Sequence, residues 1–139
     1  MSTVDQAEVH NFTSQAKQWW DETGPFKPLH KINPIRLSFL RDQILDHFQI
    51  KDRASTRPLE GLKILDVGCG GGLLCEPLAR LGAQVTGLDA GQENIDVATN
   101  HAQESGLDII YNCITAEKLA ETGVQFDVVT ALEIVEHVD

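Results

Sequence analysis

The sequence has little of what a disulfide-bonded, membrane-spanning or nucleic-acid-binding protein needs. Only three cysteines, Cys69, Cys75 and Cys113, occur in 139 residues. The count is odd and no C-x-x-C pair exists, so neither a disulfide framework nor a zinc knuckle is expected, and the chain fits a reduced, cytoplasmic setting. No run of 18 apolar residues occurs, so no transmembrane helix is expected. The first residues, Met1-Ser2-Thr3-Val4-Asp5-Gln6, lack the basic and apolar regions of a secretory signal. Basic residues are scarce in the second part: residues 62–139 carry three against thirteen acidic ones. Residues 1–61 carry eight of each, so the whole net charge of −10 falls after them. A phosphate backbone demands clustered Lys and Arg, and no nucleic-acid partner is expected for the acidic part. The basic residues between Lys17 and Arg57 read either as a solvated helical surface or as groups that meet an anionic ligand or a membrane surface.

What is present suits one globular domain: 42% of the residues are apolar. Residues 3–20 read as a helix ending in Trp19-Trp20, and 21–32, with Gly24, Pro25 and Pro28, as an irregular link. Asn33-Pro34 has the form of an N-cap followed by a proline at the first helical position. Leu37, Leu40, Ile44, Leu45 and Phe48 then follow at helical spacing, which predicts an amphipathic helix over 34–48. Residues 49–61 are charged and read as a linker, so 1–61 form a helical extension ahead of a domain beginning at 62.

From Leu62 the pattern changes to short apolar runs alternating with helices. Strands are expected at 62–67, 85–88, 109–111 and 126–132, with helices from about Leu73 to Leu81 and over 92–104. Such alternation predicts an α/β fold with a parallel sheet and right-handed crossovers. Pro77 is compatible with the first of these helices only near its start, where backbone N–H groups have no internal partner.

Between the first strand and helix runs Asp66-Val67-Gly68-Cys69-Gly70-Gly71-Gly72. A glycine-rich turn lets a ligand approach the backbone, and the helix start beyond it offers unpaired N–H groups. Many doubly wound proteins share that feature. Here, however, the third glycine of G-x-G-x-x-G is replaced by Leu73, which argues against a dinucleotide. Asp66 can accept from a cationic amine or hold the loop amides. Asp89 ends the second strand, where a carboxylate faces the crevice and can accept both ribose hydroxyls; it could also be a helix cap or turn residue.

The glycine loop followed by Gly87-Leu88-Asp89 resembles the cofactor site of the class I S-adenosylmethionine-dependent methyltransferases. More specifically, the chain resembles the ubiquinone-biosynthesis O-methyltransferases over about residues 10–138. The likeness is carried by Trp19-Trp20-Asp21, Phe26-Lys27-Pro28-Leu29-His30, Ile32-Asn33-Pro34-Ile35-Arg36-Leu37, His101-Ala102-Gln103-Glu104-Ser105-Gly106 and Glu133-Ile134-Val135-Glu136-His137-Val138. It implies a Rossmann-like three-layer sandwich, a bound S-adenosylmethionine, and contacts to it at Arg36, Gly68, Asp89 and Leu132. Arg36 would meet the cofactor carboxylate in a charge-assisted pair. Asp66, Gly70 and Ala90 join that set, as do Ala116 and Glu117, which follow the third strand where class I enzymes contact the adenine. The implied substrates are polyprenylated phenols or quinols, with contact to a membrane surface or a biosynthetic complex.

Methyl transfer to a phenolic oxygen, with a pKa near ~10, needs a base or a metal ion. Glu133, Glu136 and His137 share one face if a helix begins there. The resemblance implies that they could hold Mg2+, with Glu136 and His137 as the catalytic pair. Acidic residues in a first helical turn would also simply complement the helix dipole. His30, in the link, reads as a packed structural histidine or as part of a closing segment.

Four strands are visible where the resembling family has seven, so the chain reads as truncated after the fourth. Two rival functions remain at this point: a non-catalytic S-adenosylmethionine-binding fragment and a nicotinamide-dependent oxidoreductase.

Overall fold

A computed structural model describes residues 18–131. The elements in chain order are α1 (Lys27–His47), β1 (Lys63–Val67), α2 (Cys75–Arg80), β2 (Gln84–Leu88), α3 (Gln92–Glu104), β3 (Ile110–Asn112), α4 (Ala116–Glu121) and β4 (Val128–Thr130).

The four strands form one parallel sheet in the order β3-β2-β1-β4. The chain therefore winds outward from β1 through β2 to β3, then returns to place β4 on the other side of β1. The reversal lies between β1 and β4, and in open parallel sheets a crevice for ligands forms at such a point, beyond the carboxyl ends of the strands. β1 carries consecutive buried residues, Ile64, Leu65 and Asp66, and β2 is buried from Val85 to Leu88. Continuous burial of this kind is what a parallel sheet covered on both faces requires. In α3, Ile95, Ala98 and Ala102 form the buried stripe at spacings of three and four that bring them to one helical face.

The helical extension shares this core. Ile44 and Leu45 of α1 pack in one cluster with Ile64, Leu78, Val85 and Ile95. The segment between α1 and β1 contributes Leu59, which is fully buried and whose N–H donates to the Leu81 carbonyl at 2.9 Å.

Two sequence expectations about α1 are corrected. It begins at Lys27, with Pro28 in its first turn, so Pro34 lies inside the helix rather than at its start. An interior proline removes a helical hydrogen bond and costs on the order of 3 kcal/mol. Tertiary contacts of the preceding turns offset that: Leu29 packs against Trp19 and Leu73, and the Asn33 amide donates to the Leu73 carbonyl at 2.8 Å. Asn33 is thus a tether to the glycine loop and not an N-cap. Residues 18–20, expected to close a helix, form a turn instead. Residues 3–17 lie outside the described residues. Pro77 falls in the first turn of α2, as its chemistry requires. α4 was not foreseen as a helix; Thr115 caps it by accepting from the Lys118 N–H at 3.2 Å.

Leu45→Ala tests whether α1 and the sheet unfold together. Removing this fully buried side chain is expected to cost about 2–5 kcal/mol and to lower a single thermal transition seen by far-ultraviolet and tryptophan signals alike. An unchanged melting temperature would show that α1 is not part of the cooperative unit.

Candidate functional site

The glycine loop leaves β1 and turns sharply before α2. Gly68, Gly70 and Gly72 have φ values of 75°, 55° and 90°, a region that favours glycine. The Gly68 and Cys69 N–H groups both donate to the Leu88 carbonyl at 2.8 Å, which ties the loop to the end of β2.

Asp89 follows directly. Its Oδ1 accepts from the Gly70 N–H at 3.1 Å, and its Oδ2 accepts from the Gly91 N–H and the Asn94 amide, each at 2.9 Å. One carboxylate thus joins the glycine loop to the start of α3. Asp66 was expected to bind an amine or the loop amides, yet its oxygens turn inward. The Thr130 hydroxyl donates to it at 2.7 Å and the Cys75 thiol at 3.5 Å. The loop-holding role belongs to Asp89.

An aromatic strap covers the loop. Trp19, almost fully buried, packs closely against Gly70 and Gly71, where an added Cβ would meet its side chain at 2.5 and 2.3 Å. Phe26 stacks on the Trp19 indole with ring centroids 3.9 Å apart. The Trp19 indole donates to Asn94 Oδ1 at 2.8 Å, and the Trp20 indole donates to the Gly71 carbonyl at 2.8 Å. His30 Nε2 donates to the Trp19 carbonyl at 2.8 Å, which makes this histidine a fastening of the strap. Trp20 also stacks on His101, 3.7 Å away, and His101 Nδ1 lies 2.6 Å from the fully buried Glu76. Arg80 donates to the other Glu76 oxygen at 3.2 Å, so the buried carboxylate is doubly partnered.

Arg36 lies one helical turn beyond Asn33 on α1 and is half-buried; among the described residues no carboxylate pairs with it. Ala90 follows Asp89 and its carbonyl accepts from the Cys113 thiol at 3.3 Å. Ala116 and Glu117 open α4, just beyond the end of β3. The structure thus gathers Gly68, Gly70, Asp89 and Ala90 at the carboxyl ends of β1 and β2. Leu132, Glu133, Glu136 and His137 lie outside the described residues. Among the described residues no cluster of three or more His, Cys, Asp and Glu could hold a metal ion. No described helix is long and apolar enough to cross a membrane.

Sequence reasoning overlooked Thr130, Asn94, Glu76 and the strap. Thr130 and Asn94 carry no local signal, because each acquires its role from a partner brought near by the fold. Trp19-Trp20 did carry one: two adjacent large aromatics are a packing surface that must find a partner, although the glycine loop that supplies it lies about 50 residues on.

Burial pushes the Asp66 carboxyl from its ordinary 3.8 up to about 6, against the hydrogen bonds of Thr130 and Cys75, and the nearby Asp89 charge raises it further. A carboxyl raised in the folded state binds its proton more tightly there than when unfolded. Stability therefore falls as the pH rises from about 4 to about 6, by roughly 3 kcal/mol in all, and stays reduced above that. Asp66→Asn keeps an acceptor for Thr130 and removes the buried charge. Its melting temperature should exceed that of the wild type at pH 7.5 and converge with it near pH 4. A gap that does not vary with pH would refute the buried-charge account.

The methyltransferase domain family matches residues 64–139 of this sequence. A ubiquinone biosynthesis O-methyltransferase from Sinorhizobium medicae is 56% identical over 137 residues, 99% of this chain and 55% of that protein. One from Rhizobium etli is 54% identical over 99% of this chain and 55% of its own length. The chain spans about half the length of the curated relatives it matches. Magnesium protoporphyrin IX methyltransferase from Synechocystis PCC 6803, solved with bound SAM, shares the fold at a TM-score of 0.62 and 21% identity, covering 92% of this chain and 64% of that one. The parallel sheet, the glycine loop and the residues matched identify this chain as a member of the methyltransferase domain family, with the Rossmann-like class I fold.

Proposed function

We propose that the protein is an S-adenosylmethionine-dependent O-methyltransferase acting on polyprenylated catechol or hydroquinone intermediates of ubiquinone biosynthesis. The observation that supports this best is the Asp89 carboxylate, held at the end of β2 by the Gly70 amide of the glycine loop. A carboxylate so placed can accept ribose hydroxyls, while the glycines admit the remainder of a nucleoside ligand to the backbone. The names of the relatives, at 56% and 54% identity, supply the reaction class and the pathway.

The residues fit that cofactor. In this reading Asp89 takes the ribose, Gly68 and Gly70 lie along the aminoacyl end, and the Arg36 guanidinium, with no carboxylate partner among the described residues, meets the cofactor's carboxylate. Asp66 stays beneath the loop, held by Thr130 and Cys75, while Ala90, Ala116, Glu117 and Leu132 border the adenine. When bound, the cofactor supplies a methyl group on a sulfonium centre. The chain's own task is to hold donor and acceptor in line and to exclude water. A phenolic acceptor must give up its proton, and we assign that step to His137 with Glu136. Glu133, Glu136 and His137 also form the candidate ligand set for Mg2+, on the strength of their spacing together with the family resemblance. A polyprenyl substrate resides in lipid, so this reading places the protein in the cytoplasm, at the membrane surface or in a biosynthetic complex.

Two rivals are weaker. A nicotinamide-dependent oxidoreductase would want glycine where Leu73 is buried against Trp19. A non-catalytic cofactor-binding fragment keeps the site and lacks turnover; methyl-transfer assay with a polyprenyl catechol separates it from the enzyme.

Calorimetry with S-adenosylhomocysteine is the central test. The folded wild-type protein should bind, and Asp89→Ala should weaken binding by about tenfold or more, the worth of a charged hydrogen bond. No heat of binding in a folded sample would overturn the proposal. For the metal, Mg2+ titrated into the wild type should bind more tightly than into a Glu133→Ala/Glu136→Ala double variant. Equal, weak binding by both would remove Mg2+ from the mechanism.

A further inference from the structure

We propose that Asn94 is a ligand-operated release for the aromatic strap: ribose binding at Asp89 displaces the Asn94 amide, and this frees Trp19 from the glycine loop. The inference rests on the nucleoside reading of Asp89 given above and adds a coupling which that reading does not contain.

The argument is one of hydrogen-bond capacity. An ionised carboxylate offers about four acceptor sites. On Asp89, three are filled by the Gly70 N–H, the Gly91 N–H and the Asn94 amide. Oδ2 carries two of these donors and Oδ1 one, so a single site remains, on Oδ1. Two vicinal ribose hydroxyls need two. One existing donor must therefore leave before both hydroxyls can bind. The Gly70 and Gly91 donors are backbone groups, set by the loop and by the start of α3. Asn94 is a side chain and can turn about its own bonds.

Asn94 cannot turn alone. Its amide nitrogen faces Asp89 and its oxygen accepts from the Trp19 indole at 2.8 Å, so both ends of the amide are committed. Rotation away from Asp89 withdraws the acceptor from Trp19. That indole covers Gly70 and Gly71, the flat backbone a ligand would approach. Ligand entry and strap release are thus the same event seen from two ends of one amide. The Trp20 bond to the Gly71 carbonyl and the Trp20–His101 stack hold the neighbouring residue, so the motion centres on Trp19.

The test uses fluorescence, since the sequence has only two tryptophans. In a Trp20→Phe background the emission comes from Trp19 alone. Saturating S-adenosylhomocysteine should shift that emission to longer wavelength and increase its quenching by acrylamide. Asn94→Ala removes the donor competing with ribose, so its ligand-free spectrum should already match the bound form, and its affinity should rise about fivefold. Trp19→Phe, which removes the N–H donor together with the part of the indole against Gly70, should raise affinity in the same direction. The two changes combined should give no more than the larger single effect. Unaltered Trp19 emission at saturation, or weaker binding by both Asn94→Ala and Trp19→Phe, would overturn the release, because the strap would then belong to the bound site. Absence of binding by the wild type and by both variants would instead overturn the ribose reading of Asp89 itself, and the release with it.

Discussion

The candidate site depends on one carboxylate that is shared among elements which sequence alone keeps apart. Asp89 receives the Gly70 amide from one loop, the Gly91 amide from the next, and Asn94 from α3. Through Asn94 it also reaches Trp19, 75 residues from that asparagine. Remove the carboxylate and the glycine loop loses the tie at Gly70, α3 loses a hydrogen bond at its first turn, and Trp19 loses its link through Asn94 to the site. Charge-assisted bonds to fixed backbone donors are well suited to this role, being short and roughly twice as strong as neutral ones.

Around that anchor the site is arranged by polarity. Asp89 lies partly open at the crevice, while Asp66, only two residues before the glycine loop, is sealed beneath it with Thr130 and Cys75. Two carboxylates so near each other serve different ends because one meets backbone amides and the other meets low-polarity core. Glu76 repeats the theme on the far side of the loop: a fully buried acid kept by His101 and Arg80, with Trp20 laid over the imidazole. The loop is thus braced by acidic groups above and below, and by flat aromatics on the face its glycines leave bare.

Much of this was legible beforehand. The parallel strands, the helix over 92–104, the glycine loop and the terminal position of Asp89 all follow from local patterns that physical rules read directly. The start of α1 was misread because Asn33-Pro34 obeys the local rule for a helix start, and only the contacts of Leu29, His30 and Asn33 with distant residues decide otherwise. Asn94 and Thr130 were illegible for the same reason. Their chemistry is ordinary, and what matters is who their neighbours are. The residues after 131 were read from spacing and resemblance, and nothing in the described fold bears on them.

The pairing of β1 with β4 carries a consequence for synthesis. The Lys63 amide bonds to Asp127 and Thr130 bonds to Asp66 across separations of 64 residues, whereas β1 and β2 are joined through a short helix. At ribosomal rates of about 5–20 residues per second, β1 waits roughly 3–13 s for its second neighbour. During that interval one edge of the central strand is bare and the Asp66 carboxylate lacks its hydroxyl partner. The nascent chain is then most exposed to wrong pairing at the strand on which its glycine loop is mounted, and α1, already made and carrying Leu45, is the element at hand to shield it.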